Sequence, residues 1–339
     1  MRSILIIQTA FAGDLILTTP LIEASQRSFE NAAVDVLAIP STASLLANNP
    51  GIREVISYDK KNRRPGLPTL MRQLARRKYD VCISPHRSLR SALLARATGA
   101  CRRVGFDRSA AAWLYTDTVS YDGHAHEADR NLALLSVFGS EPMTGCRPAL
   151  FPSGSDREAA SRTLPMGNDR PLLCLAPGSV WATKRWSESG FLEVARAFCT
   201  THLVVLIGGA QDVEICDRIA KQAASENVVS IAGQLSFLAS AALIDRAEVL
   251  VSNDSAPVHI ASAMKTPVVE IFGATSPAFG FTPYDVVHRI VQRDDLDCKP
   301  CAIHGGDRCP VKTFDCMKGL PAATVIAAVH ELTGKSDGN

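Results

Sequence analysis

The stretch FAGDLILTTPLI, Phe11 to Ile22, follows the apolar run Ile4–Ile7 and sets an ionised Asp14 directly behind Gly13. A carboxylate at the mouth of a sheet can take the proton of a hydroxyl nucleophile, and help of that kind contributes about 10²–10⁴ in rate. The same group near the first turn of a helix complements the helix dipole by ~0.3–1 kcal/mol, and capping alone accounts for many such residues. A second constellation, LAPGSVWATKRWSESGF, places Ser179, Thr183, Lys184 and Arg185 in a loop behind Pro177-Gly178. A lysine as point charge and an arginine as fork donor, beside hydroxyls and a glycine, suit a diphosphate. The plainer alternative is an exposed Lys-Arg pair. The spacing GxxxxGK[ST] of a Walker loop is absent.

Further along, LVVLI ends in Gly208-Gly209, where a ligand can approach the backbone closely, with Gln211, Asp212 and Glu214 after it. No GxGxxG follows this run or the first one, which argues against a nicotinamide dehydrogenase. The segment VSNDSAPVHIASAMKTPVVEIFG, Val251 to Gly273, reads as a buried strand running through Asn253-Asp254-Ser255 into a helix with Pro257 near its start. The small residues Ala256, Ala261 and Ala263 allow that helix to lie close to a sheet, and its N-terminal amides favour an anion. Asp254 then suits sugar hydroxyls, and His259 a phosphate or carbonyl. A satisfied core histidine is the other reading of His259.

The elements that must position these groups alternate between short Val/Ile/Leu-rich runs and longer helical periodicity, the pattern of parallel β/α units. Strands are expected at Ile4–Gln8, Val34–Ile39, Glu54–Tyr58, Val81–Ser84 and Arg103–Phe106, then at Leu172–Ala176, Leu203–Ile207, Val228–Ile231, Val249–Ser252 and Val268–Phe272. A helix is expected through Leu15–Ser25, and another at Ala322–Leu332. The Pro- and Gly-bearing stretch Arg147–Arg170 reads as a short helix flanked by linker. This divides the chain into a first domain (1–150), a linker (151–170), a second domain (171–320) and a C-terminal helix and tail (321–339), the tail expected to fray. The fold class is α/β: two doubly wound Rossmann-like domains facing across a cleft, with ligands at the carboxyl ends of the strands.

Composition narrows the function classes. With 339 residues, 46% of them hydrophobic, and a net charge of +2, the chain can bury two cores and carries no global field that argues for nucleic acid. Between Lys60 and Arg108, however, 14 Lys or Arg face only Asp80 and Asp107, which suits an anionic partner of that half or a set of solvated helix faces. No apolar run approaches the ~20 residues of a membrane span. The N-terminal run is short, β-branched and leads straight into a helical pattern, so it is read as a strand rather than a secretory signal, and the protein as cytoplasmic. Ten cysteines are then a reduced set. Four of them, Cys298-x2-Cys301-x7-Cys309-x6-Cys316, share a loop-rich stretch with His304, Gly305, Gly306 and Pro310. They are candidate ligands of a structural zinc, although zinc ribbons favour two close pairs, and free thiols or disulfides stay open. Cys82, Cys101, Cys146, Cys174, Cys199 and Cys216 are scattered, and those in strands are read as small core residues.

Taken in order, AGDLILTTPLI, PGS followed by TKRW, LIGG followed by Asp212, and SNDSAPVHIASA followed by TPVVEIFG resemble the ADP-heptose:lipopolysaccharide heptosyltransferases, glycosyltransferase family 9. The resemblance covers nearly the whole chain, and the cysteine-rich tail is similar to that of heptosyltransferase II-like members. It implies a GT-B fold, an acceptor held by the N-terminal domain, ADP-heptose held by the C-terminal one, and inversion without a catalytic metal or cofactor. Asp14 matches the proposed base, Lys184 the donor-phosphate lysine, and Asp254, Ser255, Ala256 and His259 the donor-binding turn. Ser179, Thr183, Arg185, Gly208 and Gly209 are further donor candidates; Gly13, Arg87 and Arg90, the last two in HRSLRSALLARATG, are acceptor candidates. HEADRNLALL, His126 to Leu135, resembles another family segment. The implied acceptor is inner-core lipopolysaccharide ending in a heptose, with peripheral contact to the inner face of the cytoplasmic membrane. Departures are Ala12 where the family often has isoleucine and Ser187 where it often has proline; neither removes a functional group. Another GT-B donor or surface-polysaccharide acceptor is the first alternative. A metal-containing nucleic-acid binder is the second, and the lack of aromatic interleaving in Lys60–Arg108 argues against it.

Overall fold

The apolar runs pair side by side in parallel, and those with no polar face take the sheet centres, as expected where helices cover both faces. The computed structural model describes residues 2–30, 32–60, 66–139 and 145–334. It divides into two compact units, Met1–Phe151 and Pro152–Asn339. In the first, β1 (Ser3–Ile7), β2 (Ala33–Ala38), β3 (Glu54–Ser57), β4 (Val81–Ser84), β5 (Arg102–Phe106) and β6 (Asp117–Val119) form a six-stranded sheet in the order β3-β2-β1-β4-β5-β6. In the second, β7 (Leu172–Ala176), β8 (Leu203–Leu206), β9 (Val228–Ser230), β10 (Ala247–Asn253), β11 (Val268–Ile271) and β12 (His288–Val291) form another, in the order β12-β11-β10-β7-β8-β9.

The order reverses between β1 and β4 in one unit and between β7 and β10 in the other. Ligand sites of open α/β sheets lie beyond the strand ends at such points. Asp14 follows β1 and Arg87 follows β4; Lys184 follows β7 and Asp254 follows β10. The final helix, Ala322–Leu332, packs on the helix Glu188–Phe198 and buries Val325 and Val329 in the core of the second unit. The tail 335–339 lies outside the described residues. Among the described residues no helix is long and apolar enough to cross a membrane.

Three expectations change. β6 and β12 were not foreseen: both are edge strands with incompletely buried side chains, so neither reads as an apolar run. The expected helix through Leu15–Ser25 is two helices, Ala12–Ile16 and Thr19–Ser28. Pro20 lacks the N–H that would continue the first and would press on the carbonyl four residues back. Thr18 and Thr19 donate their hydroxyls to the carbonyls of Asp14 (2.8 Å) and Ile16 (2.7 Å), satisfying groups the break exposes. Gly13, expected ahead of the helix through Leu15–Ser25, sits inside the first of the two, with its carbonyl accepting from Leu17 N–H at 2.9 Å.

Part of the basic block is structural. Asp35 in β2 is fully buried and is neutralised by Arg77 of the block (3.3 Å) and by Arg53 ahead of it (2.8 and 2.7 Å), with the Tyr79 hydroxyl donating at 2.6 Å. Arg102 forks onto Asp117 at 2.8 and 2.9 Å. These arginines hold the sheet and its helices together and are spent before any ligand arrives.

Candidate functional site

In the second unit the loop after β7 is laced to the end of β10. Asn253 donates to the Pro177 carbonyl at 2.8 Å and accepts from Trp186 N–H at 3.0 Å. These bonds bring Lys184 onto Asp254, Nζ to Oδ2 at 2.7 Å, with the two side chains only 13% and 7% exposed. Thr275, at the end of β11, donates to the same oxygen at 2.6 Å. Asp254 is therefore fixed from two sides, and an ammonium stands at the carboxyl edge of the sheet. That is the geometry for meeting phosphate oxygens with a positive charge and sugar hydroxyls with an acceptor.

The loop itself is held from far along the chain. Thr183 N–H donates to the Gly306 carbonyl at 3.0 Å, Gly306 N–H returns to Thr183 Oγ1 at 2.8 Å, and Cys301 N–H reaches the Ala274 carbonyl at 2.8 Å. The cysteine-rich segment thus braces the lysine loop. The ten cysteines are free thiols, and among the described residues no three His, Cys, Asp or Glu side chains gather at metal-holding distance.

Three donor candidates, Arg185, Gly208 and Gly209, make contacts within the protein itself. Arg185, an exposed residue, donates from Nε to the Ser179 carbonyl (2.7 Å) and from Nη2 to the Val180 carbonyl (3.4 Å), so part of its fork stiffens its own loop. The space beside Gly208 is filled by Asp212: a Cβ at Gly208 would lie 2.6 Å from the Asp212 Cβ, and one at Gly178 only 2.4 Å from its carboxyl. Gly209 N–H donates to Asp212 Oδ2 at 2.9 Å. These glycines admit a side chain of this protein. Ser255 caps the helix Ala256–Met264 without a side-chain bond and reaches back toward the Gly178 carbonyl at 3.4 Å, and His259 is buried on that helix.

Glu270, unremarked inside the apolar run of β11, is fully buried, and neither of its oxygens has a hydrogen-bond partner among the described residues. Burial, and then the charge of Asp254, push its carboxyl well above the usual range, with Lys184 opposing. A buried polar group without a partner costs about 1–3 kcal/mol. Glu270→Val is therefore expected to stabilise the protein by about that amount in chemical denaturation. A carboxyl whose native pKa is raised is most favourable below its unfolded value and loses stability as pH rises toward the native one. The advantage of the valine variant should accordingly grow with pH; an advantage that shrinks would mean Glu270 is held as a carboxylate.

In the first unit Asp14 lies in the opening turn of Ala12–Ile16, whose N-cap, Phe11, makes no side-chain cap. The charges of Lys60 and Asp14 act on one another, and Lys60, at the end of β3, donates to the Thr9 carbonyl. Burial, then the positive charge of Arg90, lowers the Lys60 pKa, with Asp14 opposing. After β4, His86 bonds Thr9 Oγ1 and Ser91 Oγ, both at 3.0 Å, while burial, then Lys60 and Arg87, drive its pKa down to about 4. Neutral at physiological pH, it ties the β1 loop to the start of the helix Leu89–Ala97. Arg87 stacks over the Tyr121 ring at 3.9 Å. Asp14, Lys60, Arg87 and Arg90 thus meet at one sheet edge. Of these, Lys60 was foreseen only as one charge in a block, and Tyr121 and Thr275 not at all, because loops with no motif carry them.

The sequence profile of glycosyltransferase family 9 (heptosyltransferase) matches residues 68–307, well over half of the chain. The chain belongs to glycosyltransferase family 9. Among curated relatives, lipopolysaccharide heptosyltransferase 3 of Escherichia coli is 27% identical over 96% of this chain and 98% of its own length. Lipopolysaccharide heptosyltransferase 2 of Escherichia coli strain K12 is 26% identical over 81% of this chain and 84% of its own. Two solved structures share the fold of this family 9 member. A family 9 glycosyltransferase from Veillonella parvula DSM 2008 gives a TM-score of 0.82 at 23% identity, covering 99% of this chain and 98% of that one. Escherichia coli ADP-heptose lps heptosyltransferase II gives 0.81 at 22%, covering 100% of both. The two parallel α/β sheets of this family 9 enzyme are GT-B-like.

Proposed function

We propose that the protein is an inverting heptosyltransferase that moves heptose from ADP-heptose onto a heptose of inner-core lipopolysaccharide. The observation that carries this reading is the Lys184–Asp254 pair at the switch point of the second sheet, in a chain whose relatives are named as lipopolysaccharide heptosyltransferases. Asp14 takes the proton of the acceptor hydroxyl, the freed oxygen attacks the anomeric carbon, and the bond from that carbon to the phosphate oxygen breaks. The charge gathering on ADP is met by Lys184, a fixed donor in a water-poor site. Arg87 and Arg90 suit anionic groups of the acceptor. Acceptor-dependent release of ADP from ADP-heptose, measured beside other nucleotide sugars with purified protein, tests it. Release that is faster from another donor replaces heptose with that sugar.

Membrane contact at the same edge is supported by three exposed apolar side chains. Phe11, Leu89 and Trp113 follow β1, β4 and β5, which are neighbours in the sheet, and Lys60, Arg87, Arg90 and Arg108 stand among them. Indole and guanidinium groups suit an anionic lipid surface. A structural zinc on Cys298, Cys301, Cys309 and Cys316 is proposed from the donor set alone: thiolates are its usual structural ligands and four make a tetrahedral shell, around which these side chains would have to close, since among the described residues no three of them gather at metal-holding distance. Elemental analysis of the full chain should find about one zinc per chain, and chelation should lower the melting temperature. A metal-free protein with unchanged melting removes it.

A further inference from the structure

A second carboxyl, near enough to Asp14 for the two charges to act on one another, is used by no step above. Glu127 opens the helix Glu127–Ala133; its side chain is 10% exposed and accepts from Arg130 Nε at 2.8 Å. Arg130, only 2% exposed, also donates to the carbonyls of Asp122 (3.3 Å) and Gly123 (3.4 Å). Its guanidinium lies 5.0 Å from the centre of the Tyr121 ring, and that of Arg87 lies 3.9 Å from the same centre. Phe106 meets that ring edge-on at 5.2 Å. The helix is tied to the Asp14 segment by Asn131, which donates to the Leu17 carbonyl at 3.0 Å.

Two guanidiniums on one aromatic ring repel each other, and the arrangement holds where a carboxylate offsets one of them. Glu127 supplies that carboxylate to Arg130. We propose that Glu127 is a positioning residue for the transfer: through Arg130 and the Tyr121 ring it fixes Arg87, and its negative charge strengthens Asp14 as a base. This rests on the reading of Asp14 as the base.

The charges that face Glu127 are Asp14, Arg87 and Arg130; the helix Thr19–Ser28 packed against it carries Glu23 and Arg27, paired with each other, and its own helix carries Asp129. Burial lifts the Glu127 carboxyl to about 7, with Asp14 adding to the lift and Arg130 and Arg87 opposing it. Below that value Glu127 is neutral and leaves Asp14 unassisted. Above it the carboxylate holds Arg130 fully and raises the proton affinity of its neighbour, so the step belongs to the coupled pair.

The test is the pH profile of kcat/KM for the acceptor, with Glu127→Gln, Glu127→Asp and Arg130→Gln run beside the wild type and checked for folding by thermal melts. The wild type should rise through a step near neutral pH. Glu127→Gln should lack the step, with kcat at about pH 8 lower by about tenfold to a hundredfold. Glu127→Asp should keep the step if the glutamine variant does not fold, and Arg130→Gln should raise the acceptor KM and leave the donor KM unchanged. A Glu127→Gln profile that superimposes on the wild type overturns the inference while Asp14→Asn stays inactive. Full activity of Asp14→Asn overturns the reading of Asp14 itself, and this inference with it.

Discussion

Asp14→Asn is expected to lower kcat by about 10²–10⁴ while donor affinity stays near that of the wild type. Asparagine keeps the shape and the hydrogen-bonding capacity of the side chain and removes its ability to hold a proton. The Thr18 bond to the residue 14 carbonyl is a backbone contact that the substitution leaves in place, and the N-cap is Phe11. Loss of a charge near the helix start accounts for only ~0.3–1 kcal/mol of stability, too little to silence the protein by unfolding. Single-turnover transfer with donor binding measured separately is the decisive experiment. A variant with normal turnover and a slightly lower melting temperature would return Asp14 to an electrostatic cap.

Lys184→Met should have the larger effect on stability. It strands Asp254, a carboxylate with a 7% exposed side chain, with only the Thr275 hydroxyl as side-chain partner among the described residues. Removing one member of a buried pair costs about 3–5 kcal/mol, because the other charge remains in a poor solvent. Asp254→Asn in the same chain should recover much of that loss, since the stranded charge goes with it. Donor binding should be lost in Lys184→Met and should stay lost in the double variant, where stability has returned. That divergence separates the ligand role of the lysine from its structural one. Urea denaturation of all four proteins, with ADP titrated into each, gives both readouts, and a coupling energy near zero would show the pair to be screened by solvent.

The central strands were legible because their side chains are buried on both faces, so Ile4–Ile7 and Leu172–Ala176 read as unbroken apolar runs. The edges were not, since β6 and β12 carry Asp117, Thr118, His288 and Arg289 among their few residues. Lys184 and Asp254 could be found because each follows directly on a legible strand. Arg185 shows what side-chain type leaves out: part of a guanidinium read as a phosphate fork is taken up by the bend of its own loop. Glu270 shows the converse, a charge hidden within an apolar pattern that signals nothing until its isolation is seen. Glu127 and Arg130 are an i,i+3 pair on one helix, but Tyr121 reaches them from across the turn at Asp122-Gly123, and no periodicity encodes that meeting.

The staple between Thr183 and Gly306 has a bearing on synthesis at the ribosome. The first unit is contiguous in the chain and can fold while the second is still being made. The lysine loop cannot be completed in that way: residues 183–184 leave the exit tunnel long before their brace at Gly306, and the final helix of the second core comes later still. A nascent chain therefore passes through a long interval in which its first unit is formed and its lysine loop is not, and a product truncated between residues 152 and 305 would fold its first unit and leave that loop unbraced.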